Sequence, residues 1–411
     1  MTGLDEVVRR LEDLHLCSEI QEMILFTDEP KLPGYFCVPD EGFNVEENKI
    51  FGQGLSTNKD HAKTKAIAEC VERMCLFHPR AEFHRGKFVD SQKQVDPFSL
   101  VPFSDEQVNL KDYQNRVRNA EYKWVKSFDH INAAEILVPG QVIYLSQDFE
   151  NEPVLREQIS TGAALHSDRE SALVSGTLEI IERDAYITAY LRKKNLKKIK
   201  YEGCGGELVK LTKYLQRYAL EPSSFDLTSD LGIPTAMTIT LDRTGIGPAV
   251  NIGLRSGFTI EDAIFGSMLE SIQCRRTTRI IKSTKYAGRK IRSDELSTIN
   301  NRYFYWYDLE RISDLNFWLS SDDYIERGDL NDVPTQHRNF EYLKTLMRER
   351  GYNLLSSDIT WPEIKKAGFL VYKVVVPELH PLYLNEAMKC LFSVHGGKIK
   401  EDTSLKPHPF T

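Results

Sequence analysis

The feature that most constrains this chain is an acidic pattern that recurs in three predicted helices. Apolar spacing and polar caps predict these helices at about 58–76, 167–191 and 260–282. Residues three and four positions apart share a helix face, so acidic residues at this spacing lie together. The pattern consists of Glu69, Glu72 and Arg73 in the first helix, Glu179, Glu182 and Arg183 in the second, and Glu270, Gln273 and Arg275 in the third.

Carboxylates at this spacing repel each other unless positive charge lies between them. The residues just before them are small and apolar, as in Ala66-Ile67-Ala68, which predicts that the acidic face adjoins a packed surface. Magnesium takes oxygen ligands and commonly binds one or two carboxylates together with substrate phosphates. Converging helices would form an acidic cage for a magnesium-bound triphosphate, with arginines left to contact its phosphate oxygens. Ordinary surface ion pairs have the same spacing, and these residues alone leave both interpretations open.

Charge, cysteine usage and hydropathy limit the class of protein. The chain has 411 residues, with 53 Lys and Arg against 60 Asp and Glu and a net charge of -7, which argues against a general nucleic-acid binder. Its seven cysteines form no CxxC pair, so we expect reduced, mostly buried thiols. No apolar run approaches the roughly 20 residues of a membrane helix, and the charged N-terminus is unlike a signal peptide. We therefore expect a cytoplasmic protein that binds neither nucleic acid nor a membrane.

The remaining segments predict short strands, turns and local helices. They comprise strands at 136–139, 142–145, 248–253 and 369–376, a helix at 4–11, and a connecting region with some helix at 88–120. The segment from Gly52 to Thr57 is interpreted as a turn that enters the first long helix. Ser56, Thr57 and Asn58 are each able to cap that helix. The basic run at 192–200 is typical of a solvated helix end, and a docking patch for an acidic partner is the alternative.

One of the three helices carries a complete family motif. Ser175 begins the pattern S-x3-E-x2-E-R, which Glu179, Glu182 and Arg183 complete. With this motif the chain resembles the YcaO family, the ATP-dependent enzymes that activate peptide backbone amides. Further segments that resemble the family are 52–56, 69–73, 159–164, 358–362, 374–381 and 407–410, together with Glu270 and Gln273. Positions that depart from residues frequent in the family are Gln53, Lys65, Ser167, Ser171 and Thr411.

The resemblance implies a fold, a domain division and an assembly. The fold is of the α+β class, in which antiparallel sheets and long packed helices enclose a nucleotide site. We expect a catalytic domain over residues 50–411, including the proline-containing tail, after an N-terminal extension of helix and strand over residues 1–49. An extension of this length predicts that a separate protein binds the leader of the peptide or delivers sulfur. The resemblance also implies a homodimer.

The resemblance further implies a role for each site residue, with ATP and Mg2+ as cofactors. The expected magnesium ligands, direct or through water, are Glu69, Glu72, Glu179, Glu182 and Glu270. The expected nucleotide contacts are Arg73, Ser167, Ser175, Arg183, Gln273 and Arg275. The C-terminal tail is expected to reach the substrate and to supply the catalytic group of Pro407, His408, Pro409 and Thr411.

The implied reaction begins with attack of a nucleophile on a peptide amide whose oxygen is phosphorylated by ATP. A neighbouring Cys, Ser or Thr side chain gives an azoline, and external sulfide gives a thioamide. A nucleotide-binding scaffold without turnover is the second alternative. Paired carboxylates also occur in glycoside hydrolases, but those need one acid with a raised pKa, and adjacent arginines are expected to lower the pKa of these carboxyl groups.

Overall fold

The computed structural model describes residues 9, 10, 13, 14, 16–40, 43, 50–90, 93–285 and 299–410. Its strands are β1 (Cys17–Glu22), β2 (Gly34–Pro39), β3 (Gly52–Leu55), β4 (His84–Lys87), β5 (Glu121–Asp129), β6 (Ala134–Pro139), β7 (Ala163–His166), β8 (Lys198–Ile199), β9 (Leu220–Asp226), β10 (Thr235–Asp242), β11 (Val250–Ser256), β12 (Tyr324–Ile325), β13 (Leu355–Asp358), β14 (Leu370–Val375), β15 (Phe392–Ser393) and β16 (Gly397–Lys398). Its helices are α1 (Lys59–Phe77), α2 (Leu110–Asn119), α3 (Arg169–Leu191), α4 (Gly206–Gln216), α5 (Ile260–Lys285), α6 (Ile299–Tyr305), α7 (Asn316–Leu319), α8 (Phe340–Glu349) and α9 (Pro362–Lys366). Within the described part of the chain, no helix combines the length and the apolar character needed to span a membrane.

The largest sheet forms around the long strand β5. Its order is β4-β5-β13-β14-β7, strand β6 also pairs with β5, and every pairing is antiparallel. Tyr122 and Trp124 are buried at alternate positions of β5, as expected for a strand with one face on the core. Helix α3 packs on β7 and β14, and this sheet therefore supports the second acidic helix.

A five-stranded sheet supports the third acidic helix. Its order is β11-β10-β9-β8-β12, with only the short β8–β12 pair parallel among the described strands. Strand β10 is buried along its whole length, and helix α5 lies against it and against β11. Hydroxyl pairs join the two elements: Thr238 to Ser267 and Thr240 to Ser271, each at 2.7 Å. These pairs satisfy polar side chains that burial would otherwise leave without partners.

Glycines allow the acidic helices to lie unusually close to their strands. Strands β1, β2 and β3 form a small antiparallel sheet, and helix α1 packs on β3. A Cβ atom on Gly52 of β3 would lie 1.9 Å from the carbonyl oxygen of Ala66, and one on Gly253 of β11 would lie 2.0 Å from that of Ser267. Any larger residue would push helix and strand apart. Residues Gly52–Leu55 form strand β3, so the interpretation of this part of the segment as a turn is wrong.

The fold confirms most of the predicted elements. Helices α1, α3 and α5 occupy the three predicted helices, and Asn58 caps α1 by accepting hydrogen bonds from two backbone N–H groups. Strands β6, β11 and β14 match predicted strands. The strand predicted at 142–145 is wrong, because the N–H groups of Ile143 and Tyr144 turn back to the carbonyl oxygen of Gly140. The helix predicted at 4–11 lies outside the described residues, apart from 9 and 10.

Replacing Gly52 should damage the fold and the acidic site together. Because the added methyl group of Gly52→Ala meets backbone of α1, we expect a loss of about 2 kcal/mol in the free energy of unfolding. Urea unfolding measures this loss. Gly86→Ala is the matched control, since its Cβ meets nothing within 4 Å. Equal stability of the two variants would contradict the close approach of β3 and α1.

Candidate functional site

The structure brings the five predicted glutamates into one cluster. Helix α1 supplies Glu69 and Glu72, helix α3 supplies Glu179 and Glu182, and helix α5 supplies Glu270. The charges of Glu69 and Glu179 act on Glu72, so the first two helices meet there. Arg183 interacts electrostatically with Glu179, Glu182 and Glu270, which places the third helix at the same cluster.

Each of these glutamates accepts a hydrogen bond from the backbone of a nearby strand or strand end. The pairs are Glu69 Oε2 with Gln53 N at 2.7 Å, Glu72 Oε1 with Leu165 N at 2.6 Å, Glu179 Oε2 with Gly162 N at 3.0 Å, Glu182 Oε2 with Ser256 N at 2.7 Å, and Glu270 Oε2 with Leu254 N at 2.5 Å. One oxygen of every carboxylate is therefore held by the fold. The acidic cluster is oriented by backbone groups, which a side-chain substitution elsewhere does not remove.

The second oxygens of the glutamates fall into two classes. Arg73 donates to Glu69 Oε1 at 2.7 Å, and Arg183 donates to Oε1 of both Glu179, at 3.2 Å, and Glu182. The second oxygens of Glu72 and Glu270 have no hydrogen bond within the part of the chain that the structure describes. Two carboxylate oxygens of the cluster are thus available to a cation, and Mg2+ prefers such ligands.

Burial raises the pKa of three carboxyl groups of the cluster, those of Glu72, Glu182 and Glu270, which is opposite to the expectation from the sequence. Burial raises the pKa of Glu72 to about 8, with further upward contributions from the charges of Glu69 and Glu179. It also raises the pKa of Glu270 to about 7 and that of Glu182, although the Arg183 charge opposes both shifts. The prediction that adjacent arginines lower these pKa values is wrong, because loss of water outweighs the nearby positive charge. A divalent cation would reverse the balance.

Two cations beside the cluster were not predicted as site residues. Arg255 on β11 acts on the charges of Glu182 and Glu270, and Lys65 on α1 lies near Glu270. The side-chain stem of Arg255 passes within 2.7 Å of where a Cβ on Gly266 would be, so α5 lies directly below it. Lys65 stands four residues before Glu69, which is the one signal in the sequence that points to it.

Arg275 does not contact the acidic cluster. Its guanidinium is 1% exposed and pairs with Glu29 and with Asp242, at 3.2 and 2.8 Å. Arg275 follows Glu270 by five positions, a rotation of about 140° around the helix, so the two side chains lie on different faces. The prediction of a phosphate contact for Arg275 is therefore corrected: this arginine ties α5 to the N-terminal part of the chain.

The predicted polar contacts occupy three different environments. Ser175 lies one turn before Glu179 on α3, and its hydroxyl bonds the imidazole of His166 at 2.9 Å. Gln273 is half-buried one turn after Glu270 on α5. Ser167 is exposed, immediately before the residue that caps α3. Ser175 and Gln273 thus share helix turns with the glutamates, and Ser167 lies at the edge of the second helix.

The C-terminal tail is packed into the protein. His408 is fully buried, and its imidazole bonds the carbonyl oxygen of Tyr383 at 2.6 Å. Trp306 donates to the carbonyl oxygen of Pro407 at 3.1 Å, and the ring of Phe410 lies 4.3 Å from the Arg183 guanidinium carbon. The tail therefore reaches the acidic cluster through Phe410, while His408 is enclosed by aromatic side chains. Pro409 lies between these two contacts, and Thr411 lies outside the described residues.

Comparisons with known proteins concern the sequence family and the fold of the chain. The model of the YcaO family, described as YcaO cyclodehydratase with ATP and Mg2+ binding, matches residues 52–380, and it confirms the two predicted cofactors. The fold is similar to a heterocyclase in complex with substrate and cofactor, at a TM-score of 0.76 and 17% identity over 100% of this chain and 57% of the other. It is similar to the YcaO from Methanopyrus kandleri bound with AMPPCP and Mg2+, at a TM-score of 0.67 and 17% identity over 92% of this chain and 91% of the other. It is also similar to the E. coli microcin synthetase McbBCD complex with pro-MccB17 bound, at a TM-score of 0.61 and 14% identity over 88% of each chain. These likenesses confirm the predicted α+β fold.

Removing one buried carboxylate should stabilise the protein when no metal is present. The folded-state pKa of Glu72 lies above its ordinary value of 4.5. The free energy of unfolding therefore decreases through this group as the pH rises from 4.5 towards about 8. Glu72→Gln keeps an acceptor for Leu165 and removes that loss. We expect the variant to be more stable at the upper end of this window by at least ~1 kcal/mol.

Urea unfolding across this pH window, without magnesium, measures the difference. The control variant is Glu207→Gln, which changes an exposed glutamate near the start of α4. The wild type and Glu72→Gln losing the same stability with rising pH would contradict the burial of the Glu72 carboxyl group.

Proposed function

The chain belongs to the YcaO family, and we propose that it uses ATP and Mg2+ to activate backbone amides of a peptide and to convert Cys, Ser or Thr residues of that peptide into azolines. The observation that carries the proposal is the cluster of five backbone-anchored carboxylates from three helices. Glu72 and Glu270 retain oxygens free of hydrogen bonds among the described residues, and Arg183 and Arg255 lie beside them. Acidic oxygens next to cations suit a magnesium-bound triphosphate.

In this proposal the glutamates hold magnesium and the arginines bind phosphate. Glu72 and Glu270 are the first candidates for direct ligands, since their second oxygens are not engaged by arginine. Glu69, Glu179 and Glu182 act directly or through water. Binding of the metal offsets the cost of burying ionised carboxylates, and it leaves Arg73 and Arg183 able to neutralise phosphate charge that develops during transfer.

The proposed reaction replaces the amide oxygen as a leaving group. A Cys, Ser or Thr side chain of the peptide attacks the neighbouring carbonyl carbon, the terminal phosphoryl group of ATP passes to the carbonyl oxygen, and phosphate then leaves with that oxygen. The products are azoline, ADP and phosphate. We propose that Phe410, stacked on Arg183, aligns the tail with the phosphate-binding end of the site, and that the tail contacts the peptide.

The choice of azoline over thioamide follows the relatives. Two of the similar structures are a heterocyclase and a microcin synthetase complex, and the second contains bound pro-MccB17. Because that relative acts as a complex, we propose that a separate protein presents the peptide to this chain. The resemblance to the YcaO family also supports a homodimer.

A reconstituted reaction tests the proposal directly. The chain, a candidate precursor peptide and its presenting partner are incubated with ATP and Mg2+, and phosphate release is measured together with the mass of the peptide. We expect the peptide to lose one water per phosphate released. Glu270→Gln should lower the rate by roughly a hundredfold, as loss of electrostatic stabilisation typically does.

Glu221→Gln is the matched control, because Glu221 is an exposed glutamate paired with Arg243 on the surface. The control variant should retain the wild-type rate. If the peptide instead exchanges oxygen for sulfur when sulfide is supplied, the reaction is thioamide formation and the proposed azoline formation is wrong. ATP bound without any phosphate release from the complete mixture would instead support a scaffold and contradict the proposal.

A further inference from the structure

Three cysteines that are far apart in the sequence meet beside the first acidic helix. Cys17 lies on β1, Cys37 on β2 and Cys70 on α1, and their three Sγ atoms all lie within 4.8 Å of one another. The Sγ atoms of Cys17 and Cys70 are 3.9 Å apart. Cys37 and Cys70 are fully buried, and Cys17 is partly exposed. Three thiol groups from three elements converge on one point.

The spacing of two of the sulfur atoms fits a metal site. Tetrahedral zinc holds thiolates at about 2.3 Å, which separates two sulfur ligands by about 3.8 Å. The distance of 3.9 Å between Cys17 and Cys70 agrees with this value. A disulfide joins only two sulfurs, at about 2.05 Å, and would leave the third thiol buried without a partner of its kind. The number of cysteines therefore favours a metal ion over a disulfide.

We propose that Cys17, Cys37 and Cys70 bind one zinc ion in a structural site. Soft thiolate ligands select zinc, whereas the oxygen ligands of the acidic cluster select magnesium, so the chain would hold two metals of different kinds. Binding releases the thiol protons to solvent. The fourth ligand is water or the carboxylate of Asp40, which lies near Cys17. The backbone N–H of Asp40 donates a hydrogen bond to the carbonyl oxygen of Leu16.

The zinc ion would fix the first acidic helix to its sheet. Cys70 lies directly after Glu69 and two residues before Glu72, and it faces the sheet that carries Cys17 and Cys37. Holding Cys70 against β1 and β2 would hold the two glutamates in register with the strand N–H groups that bind them. The site goes beyond the expectation from the sequence, which is that the thiols are reduced and mostly buried.

Metal analysis of the purified chain tests this proposal without any activity assay. The protein is produced with zinc in the medium and purified without chelator. Its zinc content is then measured by inductively coupled plasma mass spectrometry. We expect about one zinc ion per chain in the wild type. We expect its loss in Cys37→Ser and its retention in Cys204→Ser, a partly exposed cysteine outside the cluster.

Cobalt substitution keeps the test independent of how well a variant folds. Wild-type protein stripped of metal and refilled with Co2+ should show the charge-transfer absorption of thiolate bound to cobalt, and added Zn2+ should remove that absorption. Wild-type protein that holds no zinc and gives no such absorption would overturn the proposal. A disulfide between Cys17 and Cys70, found by peptide mapping without reductant, would overturn it as well.

Discussion

The hydrogen bond from a strand N–H to a helix glutamate is the interaction on which the acidic cluster depends. There are five such hydrogen bonds at the site. A hydrogen bond contributes about 1 kcal/mol, and about 2 kcal/mol where the accepting carboxylate is ionised. A glutamate side chain reaches the strand only if helix and strand lie close together. Gly52, Gly176 and Gly253 allow that approach, since a Cβ on each would lie 2.5 Å or less from a backbone oxygen of the opposing segment.

The same close packing explains why the cluster suits a cation. Helices held against strands withdraw their carboxyl groups from water, and this raises the pKa of Glu72 to about 8 and of Glu270 to about 7. A protein gains nothing for its own stability from acids buried in this way. Their burial becomes favourable when a divalent ion supplies the charge that water no longer screens. We propose that a metal ion, bound together with the nucleotide, offsets the cost of this burial.

Sequence periodicity was sufficient for the parts of the fold in which one helix face carries the signal. It predicted α1, α3 and α5. The resemblance to the YcaO family, and not spacing alone, selected the five glutamates that the structure brings together. The phosphate contact predicted for Arg275 is wrong, since a step of five residues along a helix leads to a different face. The strand predicted at 142–145 is also wrong, because the apolar residues there are buried by a turn.

Long-range features lay beyond the sequence. The sulfur cluster joins Cys17, Cys37 and Cys70 only because β1, β2 and α1 pack together, and no spacing rule links three residues so far apart. Arg255 likewise joins the site through the register of β11 against α5. The raised pKa values of Glu72 and Glu270 are caused mainly by burial, which could not be predicted from the sequence.

Metal binding by the acidic cluster is tested most directly by a crystal structure of the chain with AMPPCP and Mn2+ in place of Mg2+, in which anomalous scattering locates the metal. A magnesium site at the acidic cluster predicts anomalous peaks in contact with the second oxygens of Glu72 and Glu270, with the five carboxylates still bonded to their strand N–H groups. Nucleotide and metal bound away from all five glutamates would contradict it.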